Sequence, residues 1–137
     1  MLYAVIDTNV LVSALICRNT LSATVKVIYN MLQGNVTPVY NDEILSEYSE
    51  VLHRSKFRFN KMHISIIIDY IKEYGIHCDR TTYTGHMPDE KDRPFYEVSL
   101  SMKSSFLITG NSKHFPVTPK VMTPAGFIAL MEAERKA

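Results

Sequence analysis

Cysteine is scarce in this chain: only Cys17 and Cys78 occur, too few and too far apart for a disulfide framework or a CxxC pair. Tryptophan is absent altogether. No apolar run approaches the ~20 residues that span a bilayer, so a membrane helix is not expected. No positive leader precedes Asp7, so Met1 reads as a native start without a signal peptide, and a cytoplasmic protein is the simplest expectation. Nor is there an excess of either charge. Fifteen Lys and Arg against fourteen Asp and Glu leave a formal net charge of +1, so nucleic-acid binding would need a local patch rather than a global field. Repeats, linkers and low-complexity stretches are also missing. What remains is 137 residues, 46% of them hydrophobic, enough for one compact domain over 1–137 that buries roughly two-thirds of its unfolded surface.

The chain is organised around Leu2 to Asn9, where an apolar run of strand length stops at a carboxylate and two small polar residues. In an open α/β sheet, ligands bind outside the carboxyl ends of the strands, so Asp7 is placed to face a crevice. The competing reading is that Asp7 caps the short helix from Val10 to Ile16, whose N-cap is otherwise Thr8 or Asn9. Thr20 to Leu32 has helical spacing and ends at Gly34. Val36 to Tyr40 is a short strand whose Pro38 suits a sheet edge or a strand start.

Asn41 or Asp42 caps a helix running to about Arg54, with Ile44, Leu45, Tyr48, Val51 and Leu52 on its apolar face. At roughly 100° per residue, Glu43 and Glu50 fall toward solvent, while Glu47 lies at the border of the apolar stripe and alone of the three reaches a crevice. Next, His53 to His63 contains Arg54, Lys56, Arg58 and Lys61 around Phe57 and Phe59, with no acid. Cations interleaved with aromatics suit single-stranded nucleic acid, but an inter-helix loop whose two Phe side chains fold into the core explains the same residues and is the expectation.

Asn60 caps a further helix ended by Gly75; Ile76 to Arg80 is a short strand and Thr81 to Pro88 a polar loop. Asp89 and Asp92 then open a helix to about Lys103, with Pro94 in its first turn. The macrodipole accounts for one acid there, less readily for both. Ser105 to Thr109 is a strand broken at Gly110-Asn111-Ser112, and Val121-Met122 a last strand before a helix opened by Thr123-Pro124.

Strands alternating with helices give an α/β fold, a mostly parallel sheet covered on both faces. In it Asp7, Glu47, Asp92 and Asn111 converge on one edge. Converging carboxylates repel, and a hard divalent cation such as Mg²⁺ or Mn²⁺ relieves the repulsion through oxygen ligands. Thr8 and Thr109 are expected to satisfy backbone amides, with the positioning of water or phosphate as the alternative; His114, in a Phe-Pro loop, reads as structural.

The chain resembles the PIN-domain ribonucleases, among them the toxin components of prokaryotic toxin–antitoxin systems. The resemblance rests on Val5-Ile-Asp-Thr-Asn-Val-Leu-Val-Ser-Ala, Leu45-Ser-Glu-Tyr-Ser-Glu-Val-Leu with Arg54-Ser-Lys-Phe, Asp89-Glu-Lys-Asp-Arg-Pro-Phe-Tyr, and Ile108-Thr-Gly-Asn-Ser-Lys-His-Phe. It implies a three-layer α/β/α fold and metal-assisted hydrolysis of RNA phosphodiesters. It also implies a small antitoxin partner and a homodimer. The family's three recurrent acids fall on Asp7, Glu47 and Asp92, with Asp89 accessory. A fourth, an Asp in many relatives, is Asn111 here. Two other readings stand beside it. A phosphoacceptor receiver domain would want paired acids after the first strand and a Lys after a late one. A catalytically weakened RNA-binding or partner-binding module would keep the fold and lose activity with the fourth acid.

Overall fold

A computed structural model of the chain describes residues 1–136. Five strands, β1 (Leu2–Ile6), β2 (Val36–Tyr40), β3 (Ile76–His77), β4 (Ser105–Ile108) and β5 (Val121–Met122), form one sheet in the order β3-β2-β1-β4-β5. Every neighbouring pair is parallel, so the sheet is wholly rather than mostly parallel. The helices are α1 (Thr8–Ile16), α2 (Ala23–Leu32), α3 (Asp42–Leu52), α4 (Lys61–Tyr74), α5 (Arg93–Ser101) and α6 (Pro124–Lys136). Both faces are covered. On β4, Ser105 turns to α5, donating from Oγ to the Ser99 carbonyl at 3.0 Å, while the adjacent Phe106 packs edge-on against Phe127 of α6. The result is a three-layer α/β/α sandwich. Its core runs through Ala4, Val5 and Ile6 of β1 and Leu107 and Ile108 of β4, strands apolar on both sides as a doubly covered sheet requires.

The connections leave β1 on one side toward β2 and return on its other side at β4. That reversal is a topological switch point, where the strand exits of a doubly wound sheet splay apart and leave a crevice. Register fixes what faces it: Ile6 pairs with Ile108, so Asp7 and Thr109 emerge side by side.

Several local expectations are corrected. α1 begins at Thr8 rather than Val10, because extended Asp7 takes the cap position (φ −65°, ψ 143°). α2 starts at Ala23 rather than Thr20, where the Ser22 side chain accepts from the Val25 amide. Pro38 lies mid-strand in β2, which is not an edge strand. Tyr40 accepts from the Cys78 amide on the β3 side, and Pro38 shares that side by the two-residue alternation; β3 begins only opposite Val39, so Pro38 deprives no partner of a donor. Gly34 ends α2 in the left-handed conformation, φ 81°, as expected. Gly75 does not: at φ −78° it is needed for space, since a Cβ there would come within 2.9 Å of the Pro38 carbonyl.

Candidate metal centre

At the crevice, Asp7 is 5% exposed and makes no side-chain cap bond to α1, which removes the capping explanation for it. Its Oδ2 instead accepts from Thr109 Oγ1 at 2.8 Å and from Asn9 Nδ2 at 3.3 Å. Thr109 Oγ1 in turn accepts from the Asn111 amide at 2.9 Å. Asn9 is a brace that the sequence reading treated only as a cap: its Oδ1 accepts from the Gly110 amide at 3.1 Å while its Nδ2 holds Asp7.

Glu47 arrives from α3. One residue on, fully buried Tyr48 donates its hydroxyl to the Ile6 carbonyl and so pins α3 to the exit of β1. Thr8 Oγ1 then donates to Glu47 Oε2 across the crevice. Both threonines therefore hold carboxylates; Thr8 does so instead of satisfying a backbone amide, and Thr109 does so in addition to satisfying one. The neighbouring acids are spoken for elsewhere: Glu43 pairs with Arg80 at 3.1 Å and Glu50 with Arg54 at 3.0 Å. Helical geometry thus separates one available acid from two surface pairs.

The expected helix at Asp89 begins as a 3₁₀ turn over Glu90–Asp92, with α5 following from Arg93. Asp89 is the capping acid, accepting from the Lys91 amide at 3.0 Å, and Asp92 makes no cap bond. Asp92 Oδ2 lies 3.0 Å from His114 Nδ1, and Asp89 Oδ2 lies 3.5 Å from the same nitrogen. Asn111 Nδ2 stands 3.0 Å from His114 Nε2. An amide that donates to Nε2 leaves the proton on Nδ1, where it meets Asp92. His114 is thus part of the cluster, contrary to its reading as a structural loop residue. One ligand atom from each of Asp89, Asp92 and His114 lies within 4.8 Å of the others. The signal for His114 was its place three residues after Asn111, which a single 3₁₀ turn (Ser112–His114) brings back over the amide.

Electrostatics fit a cation. Burial first, then the charges of Asp92 and Glu47, push the Asp7 carboxyl up to about 7 against the Thr109 hydrogen bond. Glu47 is raised by burial and by Asp92, and Asp92 by burial and by Asp89. These acids disfavour one another's charge, and a divalent ion with oxygen ligands is the partner such a donor set suits.

The basic segment begins close to the carboxylates, where the charge of Arg54 opposes the upward shift of Glu47. Arg54 is engaged by Glu50, Lys56 Nζ sits 5.1 Å from the Phe57 ring centre, and Arg58 and Lys61 are exposed. Phe57 and Phe59 do not sink into the core as expected. They stack on each other, 5.0 Å between centres and 6° between planes, both half-buried, with Phe59 touching the core edge.

Another ion network shapes the approach to Asp92. Buried Glu97 of α5 accepts from Arg80 Nε and from the Tyr83 amide, each at 2.7 Å, and lies 3.8 Å from Arg93. It ties the loop before Asp89 to α5, and its only trace in the sequence is an acid on an apolar face. No helix among the described residues is long and apolar enough to cross a membrane.

No curated protein and no solved structure matches the chain. The family model described as PIN domain matches residues 3–113, from β1 to the 3₁₀ turn that carries His114. The matched span holds Asp7, Glu47, Asp92 and Asn111. PIN domains are generally nucleases, typically with divalent metals, and the switch point of a parallel sheet is the place for such chemistry. With residues 3–113 of its 137 matched, the chain belongs to the PIN-domain family.

Proposed function

We propose that this PIN-domain protein is a Mg²⁺- or Mn²⁺-dependent endoribonuclease, the toxin of a toxin–antitoxin pair. The observation that carries the nuclease reading is the placement of Asp7: buried at the exit of β1, held by Thr109 and Asn9, and near enough to Asp92 and Glu47 that burial and their charges push its carboxyl up to about 7. Such an arrangement costs stability without a cation, so its persistence is explained by binding one. Asp7, Glu47 and Asp92 would hold the ion, with Asp89 at the margin. A divalent ion bound there would supply a water of lowered pKa and positive charge against the phosphodiester.

The chain's own side chains do the rest by placement. Thr109 and Asn9 fix the Asp7 carboxylate, Thr8 fixes Glu47, and His114 fixes Asp92. Asn111 supplies a neutral amide oxygen or its hydrogen bond to His114 where a carboxylate would add charge, which favours one tightly held ion over two. Lys56, Arg58 and Lys61, with Arg54 when Glu50 releases it, would contact the RNA backbone. A small antitoxin, self-association as a dimer and a cytoplasmic site of action belong to the same reading, through family membership.

An RNA-cleavage time course with Mg²⁺, Mn²⁺ or EDTA tests it. Metal-dependent cleavage by the wild type, absent with EDTA and with Asp7→Asn, supports the reading; cleavage that survives Asp7→Asn would place the chemistry elsewhere. A small neighbouring gene whose product co-purifies with the chain and blocks cleavage is the expected mark of the toxin.

A further inference from the structure

Between the end of α1 and the start of α4 lies a cleft of about 360 Å³, lined among others by Ile16, Arg18, Phe57, Arg58, Phe59 and His63. That volume falls at the small end of ligand-sized pockets. Three features set it apart from an ordinary gap between helices. Its aromatic wall is a stacked pair of half-buried rings, of which only Phe59 packs against the core edge. Ile16, 58% exposed, leaves apolar surface on the facing side. Its charged lining residues are Arg18 and Arg58, with no Asp or Glu among them. Between the two rings, Arg58 holds φ at 54°, a left-handed conformation uncommon for a residue with a side chain.

We infer that this cleft is a subsite for an unpaired nucleobase, with Phe57 and Phe59 as its apolar wall and Arg18 and Arg58 engaging the flanking phosphates. The inference rests on the nuclease reading for the purpose of the subsite and goes beyond it by placing a base-holding cleft at the far end of α1 from the carboxylates. Aromatic surface beside guanidinium groups, free of acids, matches the two faces of a nucleotide: a flat apolar base and an anionic backbone. The nine residues of α1 join the cleft to the carboxylates. At 1.5 Å per residue the subsite lies on the order of 12 Å from Thr8, so the base it holds belongs to a nucleotide near the scissile phosphate and not to it. A duplex keeps its bases stacked inward and cannot fill the cleft without unpairing.

The absence of tryptophan allows a direct test. Phe57→Trp places a single reporter in the cleft and preserves the aromatic wall. Its emission is to be followed on titration, in EDTA, with a six-nucleotide single-stranded RNA, the same sequence as duplex, and inorganic polyphosphate; anisotropy of a labelled strand measures binding independently. We expect quenching by the single strand alone. Phe57→Leu with Phe59→Leu, checked for folding by circular dichroism, should lower single-strand affinity roughly 5- to 100-fold with the salt slope unchanged. Arg18→Gln with Arg58→Gln should lower both affinity and slope, the slope by about 0.7 per contact.

Quenching without cleavage by the wild type would keep the subsite and sink the nuclease reading; cleavage without quenching by a bound strand would do the reverse. Equal quenching by polyphosphate or duplex would overturn the base subsite, as would single-strand affinity unmoved by the double Leu variant. Emission that responds to protein dilution and not to RNA would assign the cleft to a second copy of the chain and also overturn it.

Discussion

Replacing Asp7 by Asn should stabilise the metal-free protein at alkaline pH and destroy its response to metal. The folded state holds the Asp7 proton up to about pH 7, whereas an unfolded Asp releases it near pH ~4. A raised carboxyl contributes stability that is fully present below about pH 4 and is lost as pH rises through about 7. At pH 8 the wild type must ionise Asp7 among Glu47 and Asp92, at a cost of up to about 4 kcal/mol from the difference in ionisation. The ceiling is not reached, because side-chain movement and water relieve part of it. Asn keeps the shape and can accept from Thr109, but its amide hydrogens need partners that the carboxylate did not. The expected net gain for Asp7→Asn is therefore about 1–3 kcal/mol at pH 8 in EDTA, and near zero at pH 5. In melting temperature this is a rise on the order of 3–10 °C for a chain of this length. Urea denaturation of both proteins across pH 5 to 8, with EDTA and again with Mn²⁺, measures it. With Mn²⁺ the order should invert, the wild type gaining stability that the variant cannot. A variant no more stable than the wild type at pH 8, or equally more stable at pH 5, would refute the claim that Asp7 is held among repelling charges.

Glu47→Gln and Asp92→Asn should each abolish the rise in melting temperature that saturating Mn²⁺ gives the wild type, about 2.7 kcal/mol at a hundredfold excess over its dissociation constant; an intact rise would put the ion elsewhere. Asn111→Asp adds a carboxylate beside Asp92 and His114, so calorimetric titration should show Mn²⁺ bound on the order of tenfold more tightly. The same variant should melt lower in EDTA, and equal affinity and stoichiometry would leave Asn111 a turn residue. Glu97→Ala strips Arg80 and the Tyr83 amide of their buried acceptor and should destabilise the fold by about 2–4 kcal/mol in urea, metal present or not. A loss below ~1 kcal/mol would show the network to be a surface pair in effect.

Much of this architecture is local and therefore legible in the chain. Apolar runs of strand length alternating with helical spacing specify a parallel sheet, because parallel neighbours need crossovers, and the N-caps Asn41 and Asn60 and the helix-ending Gly34 act within a few residues of themselves. The same holds for Glu47, since the rotation of one helix separates it from Glu43 and Glu50. Tertiary structure decided whatever depends on residues far apart in sequence meeting at the switch point. Asp7 and Thr109 are 102 positions apart, and Glu47 and Thr8 are 39 apart; no periodicity predicts those bonds. Between Asp89 and Asp92 the sequence offered two acids for one helix start, and only the 3₁₀ turn assigned the cap to Asp89 and left Asp92 for His114. Pro38 looked like an edge signal because the sequence does not reveal how short the neighbouring strand is. Phe57 and Phe59 looked like core because hydrophobicity says that a ring avoids water, not what covers it. Their stacking beside Arg58 came from a left-handed turn between two helices, a conformation set by the packing of the chain around it rather than by the residue that adopts it.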